Sequence, residues 1–339
     1  MSSPGSPVLV RALREAVRVP GAPAPYDTAH VTIRHPARPA STEVERMSGM
    51  LPADTSGAPY PVVVVVPGVN VSSEGYRWLA CALVEAGYVC VTYDWVGELF
   101  AGQNGLTPGV DLTAVGPDTY GTKPTTPALA AVLDRLGELS CADGADGGPL
   151  RGLLDLDRVA LVGHSAGGTV ALQSAGPQWF PGVRAVITYA SHTMASQQLG
   201  HPAGTLLTAP VAVPVLLVGG SADGVVAASA VRYGEEAGAP GHDPLTRTWC
   251  EGLPDAAEAW LAVLAGAGHM LPATPDDPSS ARGFLEEPLV ADQDELREVF
   301  ARLLIDFLDA KLCDDPAATA TLQHHLDQPN PVFADLRRR

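Results

Sequence analysis

The sequence is short of cysteine, of basic residues and of aromatic side chains, and each shortage argues against a class of protein. Its 339 residues include five cysteines, 6% aromatics, and 21 lysines and arginines against 38 aspartates and glutamates. Because nucleic-acid binding needs a basic patch, the net charge of −17 argues against a nucleic-acid partner. The cysteines are odd in number and form no CxxC pair, which indicates reduced thiols and no metal site. A disulfide bond between Cys250 and Cys313 remains an alternative.

Long hydrophobic segments are also lacking. The first 20 residues carry three arginines and Glu15 with no uninterrupted apolar core, which does not resemble a secretory signal. The apolar run Val62–Val66 is far too short to cross a membrane. We therefore expect a cytoplasmic protein that makes no membrane contact.

What the sequence does contain is a series of apolar strands alternating with helices. Val62–Val66 is a run of five β-branched residues, typical of a strand buried on both faces of a parallel sheet. Such alternation predicts an α/β fold with a mostly parallel central sheet and helices on both faces. The other predicted strands are 30–34, 45–51, 88–94, 156–162, 183–190, 213–219 and 260–264, and the main helices are 75–86, 127–139 and 296–312.

We expect three parts along the chain. Residues 1–27 form an N-terminal helix and linker, because apolar residues in 7–18 have helical spacing and a Pro/Gly/Ala stretch follows. This helix docks on the core or, as the alternative, contacts a second copy in a homodimer. Residues 28–312 form the main domain, and 313–339 a tail. Within the main domain, 191–212 and 271–293 are long for simple connections and are candidates for lid or rim segments.

The most informative motif is Gly163-His164-Ser165-Ala166-Gly167, which follows the apolar strand 156–162. Gly-x-Ser-x-Gly is the nucleophile elbow, a tight strand-to-helix turn that presents the serine hydroxyl. Because the helix packs closely against the strand, a Cβ atom at 163 or 167 would clash. The motif predicts Ser165 as a nucleophile.

A serine nucleophile needs a base and a carboxylate that orients the base. In folds with this elbow the chain order is serine, acid, histidine. Asp223 follows the strand 213–219 at its carboxyl end, where ligand sites collect in open sheets, although a turn role is the alternative. His269 follows the last predicted strand and is the expected base, whereas His192 and His201 precede the acid.

The oxyanion of an acyl-transfer reaction needs two backbone N–H donors. One is expected from Ala166, directly after the nucleophile, and the other from Val69, in the loop after the Val62–Val66 strand. Four further residues are candidates for the substrate pocket, and each has a structural alternative. Asn70 could serve a turn, Trp95 and Trp179 could belong to the core, and His164 could pack within the elbow.

These stretches together resemble the α/β-hydrolase superfamily over roughly residues 28–312. The segments Val62–Val69 and Leu83–Val91 are similar to the branch that holds dienelactone hydrolases, chlorophyllases, bacterial polyester hydrolases and platelet-activating-factor acetylhydrolases. The resemblance implies the same three catalytic residues and the same two oxyanion donors.

Two departures from the polyester hydrolases of that branch narrow the expected activity. Polyester hydrolases usually carry methionine after the serine and are secreted, whereas this chain has Ala166 and no recognisable export signal. Dienelactone hydrolases use a cysteine nucleophile, which Ser165 excludes. Both departures from the polyester hydrolases disfavour a polymer-degrading enzyme.

The sequence therefore predicts a serine hydrolase that cleaves a small carboxylic ester or thioester and needs no cofactor. An acyltransferase, thioesterase or cyclase of secondary metabolism would use the same residues and is the first alternative. A non-catalytic scaffold on a hydrolase fold is the second, and the intact serine, aspartate and histidine argue against it.

Overall fold

In the computed structural model, which describes residues 8–100, 102–141, 148, 150–234, 243–275, 286 and 288–339, ten strands form one sheet. The strands are β1 (Leu9–Arg18), β2 (Thr28–Ala37), β3 (Tyr60–Val66), β4 (Val89–Phe100), β5 (Gln103–Leu106), β6 (Leu154–His164), β7 (Val183–Tyr189), β8 (Val215–Gly220), β9 (Ala259–Leu264) and β10 (Phe333–Arg338). The helices are α1 (Glu43–Ser48), α2 (Arg77–Glu85), α3 (Pro127–Ser140), α4 (Ala166–Ser174), α5 (Gly224–Ala228), α6 (Pro244–Arg247), α7 (Gln293–Leu312) and α8 (Pro316–Asp327).

The strand order is β1-β2-β4-β3-β6-β7-β8-β9-β10, with β5 paired to β4 outside this path. All pairs from β4 across to β9 are parallel, whereas β1, β2 and β10 join the sheet antiparallel. The predicted fold class, a mostly parallel sheet with helices on both faces, is confirmed.

The central strand β3 shows why the sheet is covered on both sides. Val62, Val64 and Val66 pack into one hydrophobic cluster with α3 and α4, and Val63 and Val65 pack into a second with α2 and α7. All five valines are 0–1% exposed. Since successive side chains of a strand point to opposite faces, one valine run supplies both cores.

The N-terminal helix predicted for residues 7–18 is wrong, because Leu9–Arg18 is the edge strand β1, paired antiparallel with β2. Leu9, Leu13 and Val17 recur every four residues, a spacing that fits a helix face and also one face of a strand. The residue between Leu13 and Val17 on that face is Glu15, whose carboxylate lies 2.9 Å from Arg135. Because this charged residue stands on the apolar face, the sequence of β1 does not show the regular alternation of apolar and polar residues that is typical of a strand.

The strand predicted for 45–51 is also wrong, because Glu43–Ser48 forms the short helix α1. Thr42 and Glu45 form a capping box, each side chain accepting from the other residue's backbone N–H. Gly49, at φ 68°, ends the helix. The Thr-x-x-Glu signal was present in the sequence.

Residues 313–339 do not form a tail. Asp315 caps α8, whose Ala318 and Leu322 are buried in the second core, and β10 then pairs antiparallel with β9. The guanidinium of Arg338 lies 5.4 Å from the ring centre of Trp260. The predicted main domain of 28–312 therefore gains β1 at one edge of its sheet and β10 at the other.

Two further observations bear on the predictions. All five cysteines are free, so Cys250 and Cys313 do not pair. Within the described ranges, no helix has the length and apolarity that crossing a bilayer requires.

Candidate active site

Ser165 occupies a sharp turn between β6 and α4. Its backbone has φ 54° and ψ −127°, a region that non-glycine residues rarely adopt and that costs about 1–3 kcal/mol. The turn is held by the Ser165 N–H, which donates to the carbonyl of Tyr189 at 2.9 Å. The strained turn lies at the carboxyl end of β6, at the edge of the sheet where the other site residues also lie.

The elbow glycines are required by close backbone contact. A Cβ atom at Gly163 would fall on the backbone of Gly168, and one at Gly167 on the carbonyl of Val66, both far inside van der Waals distance. The clash expected from the sequence is thus present at both positions. Gly168 is equally tight, because its Cβ would meet the hydroxyl of Ser191.

Three of the predicted residues lie together at the carboxyl ends of β6, β8 and β9. The Nε2 of His269 is 2.9 Å from the Oγ of Ser165, and its Nδ1 is 2.9 Å from Oδ2 of Asp223. The imidazole and the carboxylate are 7% and 5% exposed, so water hardly competes for these hydrogen bonds. In this geometry Nδ1–H donates to the carboxylate, and Nε2 is free to accept the serine proton.

Asp223 is itself fixed by a second hydrogen bond. Its Oδ1 accepts from the backbone N–H of Val226 at 2.8 Å, so that the residue caps α5 while its Oδ2 faces His269. Asp223 therefore has the turn role weighed from the sequence, and this role leaves Oδ2 available to His269.

The two amides predicted to bind an oxyanion border the same cavity as Ser165. Among the described residues, neither Val69 nor Ala166 donates its backbone N–H to a protein acceptor. The loop that carries Val69 is held by its neighbour Asn70, at φ 58°, whose N–H donates to the carbonyl of Leu106 in β5 at 2.8 Å. The sequence pattern does not predict β5.

His164 connects this loop to the loop of His269. The hydroxyl of Tyr76 accepts from the N–H of Gly68 at 2.9 Å and donates to Nδ1 of His164 at 2.8 Å. Nε2–H of His164 then donates to the backbone carbonyl of His269 at 2.9 Å. Burial, with a smaller contribution from the nearby charge of His269, lowers the pKa of His164 to about 3, so the ring stays neutral.

Glu286 is a second carboxylate near the site that the sequence analysis missed. Its Oε1 accepts from the backbone N–H of Met270 at 3.1 Å, and its buried Oε2 has no partner within the described part of the chain. Burial, and then the charge of Asp223, raise the pKa of Glu286 above its usual value. No pattern in the sequence distinguishes this glutamate.

Replacing Glu286 with glutamine is expected to stabilise the protein at neutral pH. A raised carboxyl pKa means that the folded state holds the proton more tightly, so the stability of the wild type falls as pH rises from about 4.3, the ordinary value, through the raised value. The amide keeps the acceptor for Met270 without the charge. We expect the melting temperature to rise by about 2 °C at pH 8.

The gain in melting temperature should shrink as pH falls towards the ordinary glutamate pKa of about 4.3. Differential scanning fluorimetry of both proteins across pH 4.5–8 measures this gain. Glu298→Gln, an exposed change on α7, is the matched control. A gain that is independent of pH would contradict the argument.

A cavity of about 330 Å³ opens beside Ser165. Apolar side chains form most of its wall, and several polar side chains interrupt it. The lining residues include Val69, Val71, Val110, Val115, Thr169, Val170, Gln173, His192, Met194, Leu199, Leu207, Val225, Arg232, Tyr233 and Met270.

Three of the four predicted pocket residues lie elsewhere, since Asn70, Trp95 and Trp179 do not border this cavity. Trp95 belongs to the core, with its Nε1–H donating to the carbonyl of Tyr26 at 2.7 Å. Asn70 shapes the loop after β3, and Trp179 is in a turn after α4. His164 borders the cavity, but it is 2% exposed and both ring nitrogens are engaged.

Several residues of the segment 191–212, a candidate lid or rim, line the cavity. Met194 and Leu206 form an isolated bridge within it, and His201 contacts the carbonyl of Val115 at 2.7 Å through Nε2. Through this hydrogen bond the segment contacts the loop that follows β5. Of the other predicted rim segment, 271–293, residues 276–285 and 287 lie outside the described residues.

No cluster of three or more histidine, cysteine, aspartate or glutamate side chains suited to a metal ion occurs in the part of the chain described.

The chain was compared with known proteins. Residues 63–335 match the alpha/beta hydrolase family. The chain is also similar to a bis(hydroxyethyl) terephthalate hydrolase of Streptomyces coelicolor (strain ATCC BAA-471 / A3(2) / M145), at 27% identity over 161 residues. That similarity covers 45% of this chain and 43% of the relative.

The family match spans most of the sequence and agrees with the sheet order and the elbow described above. It confirms the resemblance to the α/β-hydrolase superfamily. The name of the Streptomyces relative describes an ester hydrolase. The chain belongs to the alpha/beta hydrolase family.

Proposed function

We propose that this protein is a serine esterase that cleaves a small carboxylic ester or thioester through an acyl-enzyme intermediate. The observation that carries the proposal is the continuous hydrogen-bonded series from Ser165 Oγ through His269 to Asp223. The relative named as a bis(hydroxyethyl) terephthalate hydrolase supports an ester as the substrate class.

In the proposed mechanism, Nε2 of His269 removes the Ser165 proton as Oγ attacks the substrate carbonyl. The Val69 and Ala166 amides hold the oxyanion of the tetrahedral intermediate, where one such donor is typically worth about 3 kcal/mol. The protonated imidazole then gives its proton to the leaving alcohol or thiol, and the acyl group stays on Oγ. A water molecule, deprotonated by His269, attacks the acyl-enzyme and releases the acid.

The size of the cavity bears on the substrate. About 330 Å³ is at the lower end of the range for small-molecule sites. Its wall combines apolar side chains with a few polar ones, which suits a compact acyl or alcohol group. We therefore propose a small-molecule ester rather than a polymer.

The test is covalent labelling with a fluorophosphonate, followed by peptide mapping, together with hydrolysis of p-nitrophenyl esters of increasing acyl length. We expect the label on Ser165 and the fastest hydrolysis for short acyl chains. Absence of both labelling and hydrolysis would reject the proposal. Product formed by transfer to an added alcohol, in excess over free acid, would replace the hydrolase with an acyltransferase.

A further inference from the structure

Gln173 is a polar side chain buried beside the cavity. The residue is 5% exposed and borders the cavity, and its carboxamide makes no hydrogen bond to any described residue. Its oxygen and nitrogen are not among the fully enclosed atoms that lack partners. The small accessible part of the side chain therefore includes the amide. Because Gln173 borders the cavity, we take the amide to face it.

The position of Gln173 on α4 sets its distance from the nucleophile. Ser165, Thr169 and Gln173 recur every four residues and share one face of the helix. Thr169 is satisfied, because its hydroxyl donates to the carbonyl of His192 at 2.8 Å. Gln173 lies about two turns beyond Ser165, roughly 12 Å along the helix axis, so the two residues border the cavity at well-separated points.

Stability alone would favour an apolar residue at this position. A buried polar group without a protein partner costs about 1–3 kcal/mol, and the wall of the same cavity includes Val110, Val115 and Val170. A carboxamide both donates and accepts hydrogen bonds, so its natural ligand is a neutral carbonyl or hydroxyl group.

We propose that Gln173 binds a second polar group of the substrate, at the opposite end from the scissile ester. The substrates are then bifunctional esters, whose cavity-bound part ends in a carbonyl or hydroxyl group. This inference rests on the proposed esterase function and adds a substrate class to it. Without the second group, the substrate would displace water from the amide and leave it unpaired, which lowers the affinity for plain alkyl esters.

Matched pairs of p-nitrophenyl esters test the inference. Each pair has the same acyl length, and one member ends in a methyl group while the other ends in a hydroxyl or a methyl ester. Across a series of lengths, we expect kcat/KM of the wild type to favour the polar member by about tenfold at the length that reaches Gln173.

The variant Gln173→Met keeps the shape of the side chain but removes both hydrogen-bonding groups. We expect it to lose the preference, because kcat/KM falls for the polar member and rises for the methyl-ended member, and to melt at the same or a higher temperature. Gln178→Met, an exposed change outside the cavity, is the matched control and should keep the preference.

The outcomes separate the two proposals. A wild type that hydrolyses both members equally, or a Gln173→Met variant that keeps the preference, would overturn the role of Gln173 while leaving the esterase intact. A wild type that hydrolyses neither member and resists fluorophosphonate would overturn the esterase, and this inference with it.

Discussion

Replacement of Ser165 by alanine is expected to lower kcat for ester hydrolysis by about 10⁴–10⁶-fold and to abolish fluorophosphonate labelling. The variant lacks the oxygen that is proposed to form the acyl-enzyme, so only binding and the two proposed oxyanion donors remain to assist attack by water. Alanine and serine both carry a Cβ, so the positive φ at residue 165 costs about the same in each. The fold should be retained, with nearly unchanged KM.

Initial rates on the best p-nitrophenyl ester measure this loss, and circular dichroism checks the fold. Ser48→Ala, an exposed change in α1, is the control and should keep full activity. Hydrolysis by Ser165→Ala within tenfold of the wild type would show that another group is the nucleophile.

The second large effect is expected from Asp223→Asn, which should reduce kcat by about 10⁴-fold with little change in stability. The cap of α5 fixes the orientation of the new amide, because its oxygen must still accept from the N–H of Val226. The NH₂ group then faces Nδ1 of His269 and donates to it. The imidazole is forced to carry its proton on Nε2, where it cannot accept from Ser165.

The companion variant Asp223→Ala separates the two roles of this side chain. It removes the cap as well, so we expect it to lose about 1 kcal/mol of unfolding free energy in addition to activity. Kinetics and urea denaturation of both variants measure the difference. If Asp223→Asn kept more than a tenth of the activity, another carboxylate would orient His269, and Glu286 would be the first to examine.

The arrangement of the candidate site could be predicted because it depends on strand ends. In a parallel sheet the carboxyl ends of the strands meet at one edge, so residues that directly follow β6, β8 and β9 lie close together although they are distant in sequence. Ser165, Asp223 and His269 each follow an apolar strand that is evident in the sequence. The order of serine, acid and histidine removed most competing side chains.

The edge strands could not be predicted in the same way. In β1, Arg11 and Glu15 lie on the face with Leu13 and Val17, and the partner of Glu15 is 120 positions away in α3. A polar residue that is satisfied by a distant partner looks the same in the sequence as one that faces solvent. Local periodicity therefore favoured a helix where long-range pairing produces a strand.

The residues that line the cavity could not be predicted from local sequence pattern either. They come from the loop after β5, from α4, and from the segments that follow β7 and β8, and no spacing rule relates these pieces. Tryptophans were reasonable candidates, but Trp95 lies in the interior strand β4 and packs in the core, where its Nε1–H donates to the carbonyl of Tyr26. Gln173, in contrast, lies in the helix that follows the elbow, and only its lack of a hydrogen-bond partner among the described residues distinguishes it.

The last strand has a consequence for shortened forms of this protein. A chain ending at residue 312 would keep all three candidate catalytic residues, but its β9 would lose the antiparallel neighbour that β10 provides. Unpaired N–H and carbonyl groups along an apolar strand such as β9 are a template for association with another molecule. Such a truncation should precipitate or form strand-swapped oligomers rather than yield a smaller working enzyme.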